Sequence, residues 1–165
     1  MGCRELKAPC FLFVTHPRIL YTSSEEVKDL RYVKLGSTPF EVSQLCFGAL
    51  TIGPLQRDMD TEAGGEVLLE ALDQGVTFID TAQMYRTYDH IAWALSRSTS
   101  VPLIVSKSYA CTGEDMETAV VEARRKLGDH VPLFFLLHEQ ESEHTIRGHW
   151  PAVEYLQKAK DHGHV

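Results

Sequence analysis

The sequence predicts an α/β fold in which parallel strands alternate with helices and curve toward a (β/α)8 barrel. Three observations predict it. Short, continuously apolar runs alternate with amphipathic segments, which is the pattern of a parallel sheet covered by helices. The connections from strand to helix are longer than those from helix to strand, as in barrels whose working loops lie at the C-terminal ends of the strands. The chain has 165 residues, well short of the ~250 that eight units usually take, so it holds about four.

The elements follow in order. Tyr32-Val33-Lys34-Leu35 and Phe40 to Leu45 flank Gly36-Ser37-Thr38-Pro39, which reads as an N-terminal β-hairpin about a Gly/Pro turn. Cys46 to Leu50 is a short apolar strand. Gly64, Val67, Leu68, Ala71 and Leu72 share one helical face, with Asp60 or Thr61 as the cap and Gly75 as the stop. Val76 to Ile79 is the second strand, and Tyr88, Ile91, Ala92 and Leu95 mark a short helix. Val101 to Val105 is the third strand, with Pro102 near its start, where a missing N–H is tolerated. Met116, Val120, Ala123 and Leu127 lie on a helix that stops at Gly128. Val131 to Leu137 is the fourth strand. Pro151 opens a last helix through Val153, Leu156 and Ala159, which stops at Gly163.

Composition narrows the class. Hydrophobic residues make up 44% and charged residues 24%, so disordered and low-complexity readings drop out. Lys plus Arg total 16 against 23 Asp plus Glu, with no basic cluster, so no nucleic-acid partner is expected. No apolar run reaches the ~18 residues of a membrane span, and Phe11 to Val14 is too short for a signal-peptide core. Cys3, Cys10, Cys46 and Cys111 form neither a C-x-x-C pair nor a disulfide framework. A soluble cytoplasmic protein is therefore expected. Residues 1–30 show no period and read as an extension. Glu25-Glu26-Val27 is compatible with a purine-rich ribosome-binding run in the gene, which predicts a natural start near Leu30 or Arg31. Residues 31–165 form the barrel portion.

The strand ends carry the chemistry. The second strand ends at Asp80, the third at Lys107 and the fourth at His138, which puts a carboxylate, an ammonium and an imidazole on one rim. Tyr85 lies five residues past Asp80, in the loop above it. Asp80 and Lys107 can pair, and a cation beside a phenol lowers its pKa from ~10, which makes Tyr85 a proton donor. His138 can polarise and orient a carbonyl. This set delivers a proton; a hydride would have to come from a bound cofactor. Singly, each residue has an ordinary role: a capping Asp, a solvated Lys, a structural His, a packing Tyr. At consecutive strand ends the catalytic reading is the better one.

These segments resemble the aldo-keto reductases. Arg31-Tyr32-Val33-Lys34-Leu35-Gly36 to Val42-Ser43, then Phe47-Gly48, is similar to their N-terminal hairpin and first strand. Phe78-Ile79-Asp80-Thr81-Ala82-x-x-Tyr85, Val105-Ser106-Lys107 and Leu136-Leu137-His138 are similar to the segments that hold their catalytic groups. The resemblance covers about Arg31 to Val165. It implies a barrel of the aldo-keto reductase type, with an aldehyde or ketone as the small-molecule substrate and NADPH, or less often NADH, as hydride donor. It implies Tyr85 as general acid, Asp80 and Lys107 as its tuning pair and His138 as the orienting group. It also makes Gly48, Ala49, Leu50 and Asp80 candidates for touching the cofactor. Gly48 to Gln56, His138 to Ser142 and Arg147-Gly148-His149 resemble bacterial and archaeal members that carry a C-terminal ferredoxin-like iron–sulfur segment. The four cysteines lack that spacing, so a cluster is expected only in a longer parent.

Two departures bear on function. Arg86 stands where the family usually has Gly after the catalytic Tyr, so it either narrows the pocket toward acidic substrates or points to solvent. The family holds most of the cofactor with residues from the second half of the barrel, so little or no activity is expected of these 165 residues alone. Four units also leave open sheet edges that favour self-association. The rival reading is a non-catalytic half barrel or interaction protein. Six of the eight histidines fall in the last 36 residues, but without metal-ligand spacing, so no metal site is expected. His149 and His162 fit helix-end roles instead.

Overall fold

The computed structural model describes residues 30–165. The purine-rich run inferred at residues 25–27, Cys3, Cys10 and the rest of the expected extension up to residue 29 lie outside the described residues. Strands β1 (Tyr32–Lys34) and β2 (Glu41–Ser43) pair antiparallel, with Val33 opposite Val42. They form a hairpin whose turn contains Gly36 at φ +55°, a left-handed conformation that glycine adopts without a steric penalty.

The main sheet has four parallel strands in the order β3 (Phe47–Gly48), β4 (Phe78–Asp80), β5 (Leu103–Ser108) and β6 (Leu133–Leu137). The helices are α1 (Thr61–Asp73), α2 (Tyr88–Leu95), α3 (Gly113–Leu127), α4 (Glu143–Gly148) and α5 (Trp150–Asp161). α1 packs on α2, α2 on α3 and α3 on α5. The hairpin is tied to the N-terminal end of β4. The Ser43 N–H donates to Thr77 Oγ1 at 2.9 Å, the Thr77 N–H donates to Ser43 Oγ at 3.0 Å, and Tyr32 Oη donates to the Gly75 carbonyl at 2.8 Å.

The core lies between sheet and helices. Ile79, Ile104, Leu68, Ile91, Met116 and Val120 are fully or almost fully buried there. Alternation along β5 sends Ile104, Ser106 and Ser108 into this layer, and all three are buried. The two serines are satisfied: Ser106 Oγ and Tyr88 Oη lie 2.6 Å apart, and Ser108 Oγ donates to Gln83 Oε1 at 2.7 Å. On the opposite, concave face Phe78, Asp80, Val105, Lys107 and Phe134 are only half-buried, and Leu136 is exposed.

The element order agrees with the sequence reading, and the boundaries shift for identifiable reasons. The third and fourth strands begin at Leu103 and Leu133, immediately after Pro102 and Pro132, which have no N–H to give the ladder. The third runs on to Ser108 because its polar residues find partners. The first strand is two residues long, since the chain turns into a 3-10 segment at Ala49–Ile52. Asp60, not Thr61, caps α1: its Oδ1 accepts from the Ala63 N–H at 2.8 Å. α4 was not anticipated, and it starts with a capping box between Ser142 and Thr145.

Candidate active site

Strand parity assembles the site. Asp80 is opposite Val105, and Lys107, two residues on, is opposite Leu136, with His138 two residues beyond that. Side chains two apart share a face, so Asp80, Lys107 and His138 all belong to the concave side at the C-terminal end of the sheet. Lys107 Nζ donates to Asp80 Oδ1 and Oδ2 and to the Thr81 carbonyl, each at 2.8 Å. These three bonds use all the donors of an ammonium.

Tyr85 ends the 3-10 turn Gln83–Tyr85, and the loop that carries it is pinned. Thr81 Oγ1 and Thr87 Oγ1 lie 2.7 Å apart and join the two ends of the loop. Gln83 bridges Ser108 and Glu122, which ties the turn to β5 and α3. Tyr85 Oη then lies 3.5 Å from His138 Nε2, and Lys107 Nζ lies 5.2 Å from the centre of the Tyr85 ring. The four residues expected at the rim are thus neighbours.

The electrostatics differ from expectation at one point. Tyr85 was expected to have its pKa lowered by the ammonium; it is raised, by burial first and then by the charges of Asp80 and Glu139. The ammonium is bound to Asp80 and Thr81, and burial with the two carboxylates decides the direction of the shift. Tyr85 therefore stays a protonated donor at neutral pH. The His138 pKa is lowered, by burial first and then by Lys107, which keeps the imidazole neutral. Its Nδ1 is buried without a hydrogen-bond partner. Whatever oxygen meets Nε2 therefore decides the tautomer, and an acceptor there selects Nε2–H.

Two neighbours were missed by sequence reasoning. The Tyr109 ring stacks on His138, with centroids 4.3 Å apart and planes 15° apart. The Tyr109 hydroxyl donates to the Glu139 carboxylate, which pushes its pKa up to about 12. Each lies within two residues of a strand end already singled out, and an aromatic or charged side chain at that offset was the available signal. Cys46 also reaches the site: burial and the Asp80 charge raise its thiol pKa.

Of the residues expected at a cofactor, Gly48 ends β3 opposite Asp80, exposed and with nothing within 4 Å of a would-be Cβ. Leu50 is half-buried. Ala49 is 0% exposed and belongs to the core cluster, so its methyl does not line the rim. Arg86 is exposed and adopts φ +55°, with its side chain in no hydrogen bond or ion pair among the described residues, which favours the solvent-facing alternative. No group of three or more His, Cys, Asp or Glu among the described residues is placed to hold a metal. His149 Nδ1 donates to the Thr145 carbonyl and His162 Nδ1 to the Lys158 carbonyl, both at 2.7 Å, so both serve helix C-terminal ends. No described helix is long and apolar enough to cross a membrane.

A parallel sheet of alternating β/α units with a polar rim at its strand C-termini places the chain among the β/α-barrel proteins. More narrowly, the aldo/keto reductase family model matches residues 44–165, and the chain belongs to that family. An uncharacterised oxidoreductase of Bacillus subtilis, YrpG, is 30% identical over 95 residues, covering 58% of this chain and 26% of the relative. The fold is shared with an aldo-keto reductase structure from Pseudomonas aeruginosa, at TM-score 0.68 and 24% identity over 80% of this chain and 55% of the other. It is also shared with aldo-keto reductase AKR11C1 of Bacillus halodurans in its holo form, at TM-score 0.65 and 20% identity over 82% and 48%. The chain thus spans about half the length of these structures and about a quarter of the curated relative.

Proposed function

We propose that this chain carries the proton-delivering side of an NAD(P)H-dependent reductase of aldehydes or ketones. The observation that carries the reading is the gap between Tyr85 Oη and His138 Nε2. At 3.5 Å the two groups are too far apart for a strong bond to each other. One carbonyl oxygen can sit ~2.8 Å from both and accept from each. His138 orients that oxygen, and Tyr85 O–H donates the proton as negative charge develops on it. The Lys107–Asp80 pair holds the floor of the site, with the ammonium 5.2 Å from the centre of the Tyr85 ring. Tyr109 covers one face of the imidazole and excludes water from it.

The residues present fit the nicotinamide end of a dinucleotide. The bare Cα face of Gly48, level with Asp80, offers a flat surface beside the rim. When bound, the reduced nicotinamide supplies the hydride. The test is loss of NADPH absorbance with benzaldehyde as probe, alongside NADPH binding by fluorescence. Tyr85→Phe is expected to lower turnover by roughly 10²-fold or more without weakening NADPH binding. Measurable turnover that Tyr85→Phe leaves undiminished overturns the assignment.

A second reading rests on its own observation. β3 and β6 each have one unpaired edge in the described sheet, and a groove of about 800 Å³ beside β6 is lined by Phe40, Phe134, Leu133 and Leu156. Edges of this kind pair with other strands. If NADPH neither binds nor turns over while light scattering finds a dimer, association is the function these residues serve.

A further inference from the structure

Outside the rim the structure brings a nucleophile and a base together. Cys111 Sγ lies 3.3 Å from His149 Nε2. His149 Nδ1 lies 2.7 Å from the Thr145 carbonyl, which can only accept, so Nδ1 carries the proton and Nε2 presents its lone pair to the thiol. A nucleophile, a base within reach and a third group that orients the base are the parts of an activated thiol. Three elements supply them: Cys111 lies just before the Thr112 cap of α3, Thr145 is in α4, and His149 joins α4 to α5. The thiol is exposed and opens on a hollow of about 530 Å³ lined by Gln83, Met84, Ser108, Tyr109 and Thr118. Asp115 lies at the same mouth and opposes negative charge there, but its Oδ2 is engaged by the Thr112 hydroxyl at 2.7 Å. Cys46 has no such base: it is half-buried, and no histidine is bonded to its thiol among the described residues.

We propose that Cys111 and His149 form a thiol–disulfide exchange site for low-molecular-weight disulfides. His149 Nε2 takes the thiol proton as Cys111 Sγ bonds to one sulfur of the disulfide. The disulfide S–S bond breaks, and its electron pair leaves on the second sulfur, which takes the proton back from the imidazolium. Cys111 is oxidised to a mixed disulfide, and half of the incoming disulfide is reduced to a thiol. The adduct occupies the hollow beside Met84 and Tyr109, next to the side chains that flank Tyr85 and His138.

The test is the rate at which oxidised glutathione adds to the Cys111 peptide of the 165-residue chain, read by mass spectrometry. The informative variant is His149→Asn, whose amide retains the donor to the Thr145 carbonyl but has no atom at the Nε2 position. In the native chain Cys111 is expected to be modified faster than Cys46, and His149→Asn is expected to slow it by roughly 10²-fold, the low end of what a positioned base contributes. In urea the two chains should react alike, which separates loss of the base from loss of the fold. Equal native rates for the two chains, or a native rate no faster than in urea, overturns the proposal. Reductase activity does not enter the readout.

Discussion

Replacing Arg86 by glycine should stabilise the chain. Arg86 holds φ +55° and ψ 36°, closing the turn that presents Tyr85. For an L residue with a Cβ the left-handed region costs roughly 1–2 kcal/mol, because Cβ crowds the following carbonyl. Glycine is free of that crowding but loses about 0.5–1 kcal/mol more conformational entropy on folding. Because the Arg86 side chain is exposed and has no partner among the described residues, the substitution loses little else. The balance is a gain of about 0.5–1 kcal/mol, equivalent to roughly 1–4 °C in Tm for a chain of this size. Urea denaturation followed by circular dichroism measures it, with Arg86→Ala as the control. Alanine keeps the left-handed strain, so it should gain little. A glycine variant no more stable than the parent would refute the reasoning. An equal gain in both variants would assign the effect to the guanidinium charge instead of the backbone.

The other predictions concern charge and packing. Because the His138 pKa is lowered from 6.5, the unfolded chain binds the proton more readily, so this residue makes stability fall as pH drops just below 6.5 and has no effect above it. Urea melts at stepped pH should show His138→Gln losing less stability over that window; identical profiles would exclude the burial effect. Glu139→Gln should bring Tyr109 down from about 12 toward 10.0 and lower Tyr85 as well, as tyrosinate absorbance in an alkaline titration reports. Gly65→Ala gains up to ~1 kcal/mol of helix propensity but places its Cβ 2.5 Å from Trp93 Cε3, where overpacking costs ~1–3 kcal/mol. A net loss of about 1 kcal/mol in urea denaturation is expected, and a more stable variant would contradict it.

Much of this arrangement was legible in the sequence because two periods encode it. Apolar runs interrupted by helical faces marked every strand of the sheet, and the residues ending three of them, Asp80, Lys107 and His138, lie together on one rim. What escaped depends on pairwise geometry that no linear spacing records. Ser106 and Ser108 lie past the apolar run Val101 to Val105, and they belong to the strand because Tyr88 and Gln83 meet their hydroxyls. The Tyr85 shift had the wrong sign because adjacency in sequence says nothing of which way an ammonium points. Three acceptors bind the Lys107 ammonium, and burial, followed by the charges of Asp80 and Glu139, raises the phenol instead. Tyr109 and Glu139 were passed over because an exposed tyrosine and a loop glutamate carry no period at all.

The alternation of β5 makes the ammonium's position a matter of counting. Ile104, Ser106 and Ser108 of this strand face the helices while Val105 and Lys107 face the other side, so Lys107 reaches Asp80 only because its position is odd. One residue gained or lost between Leu103 and Ser106 would exchange the faces and send the charge toward Tyr88, away from Asp80. The stretch from Ser96 to Ser100, before the strand, carries no such arithmetic. Length changes should therefore be tolerated there and excluded a few residues later, a boundary set by parity rather than by burial.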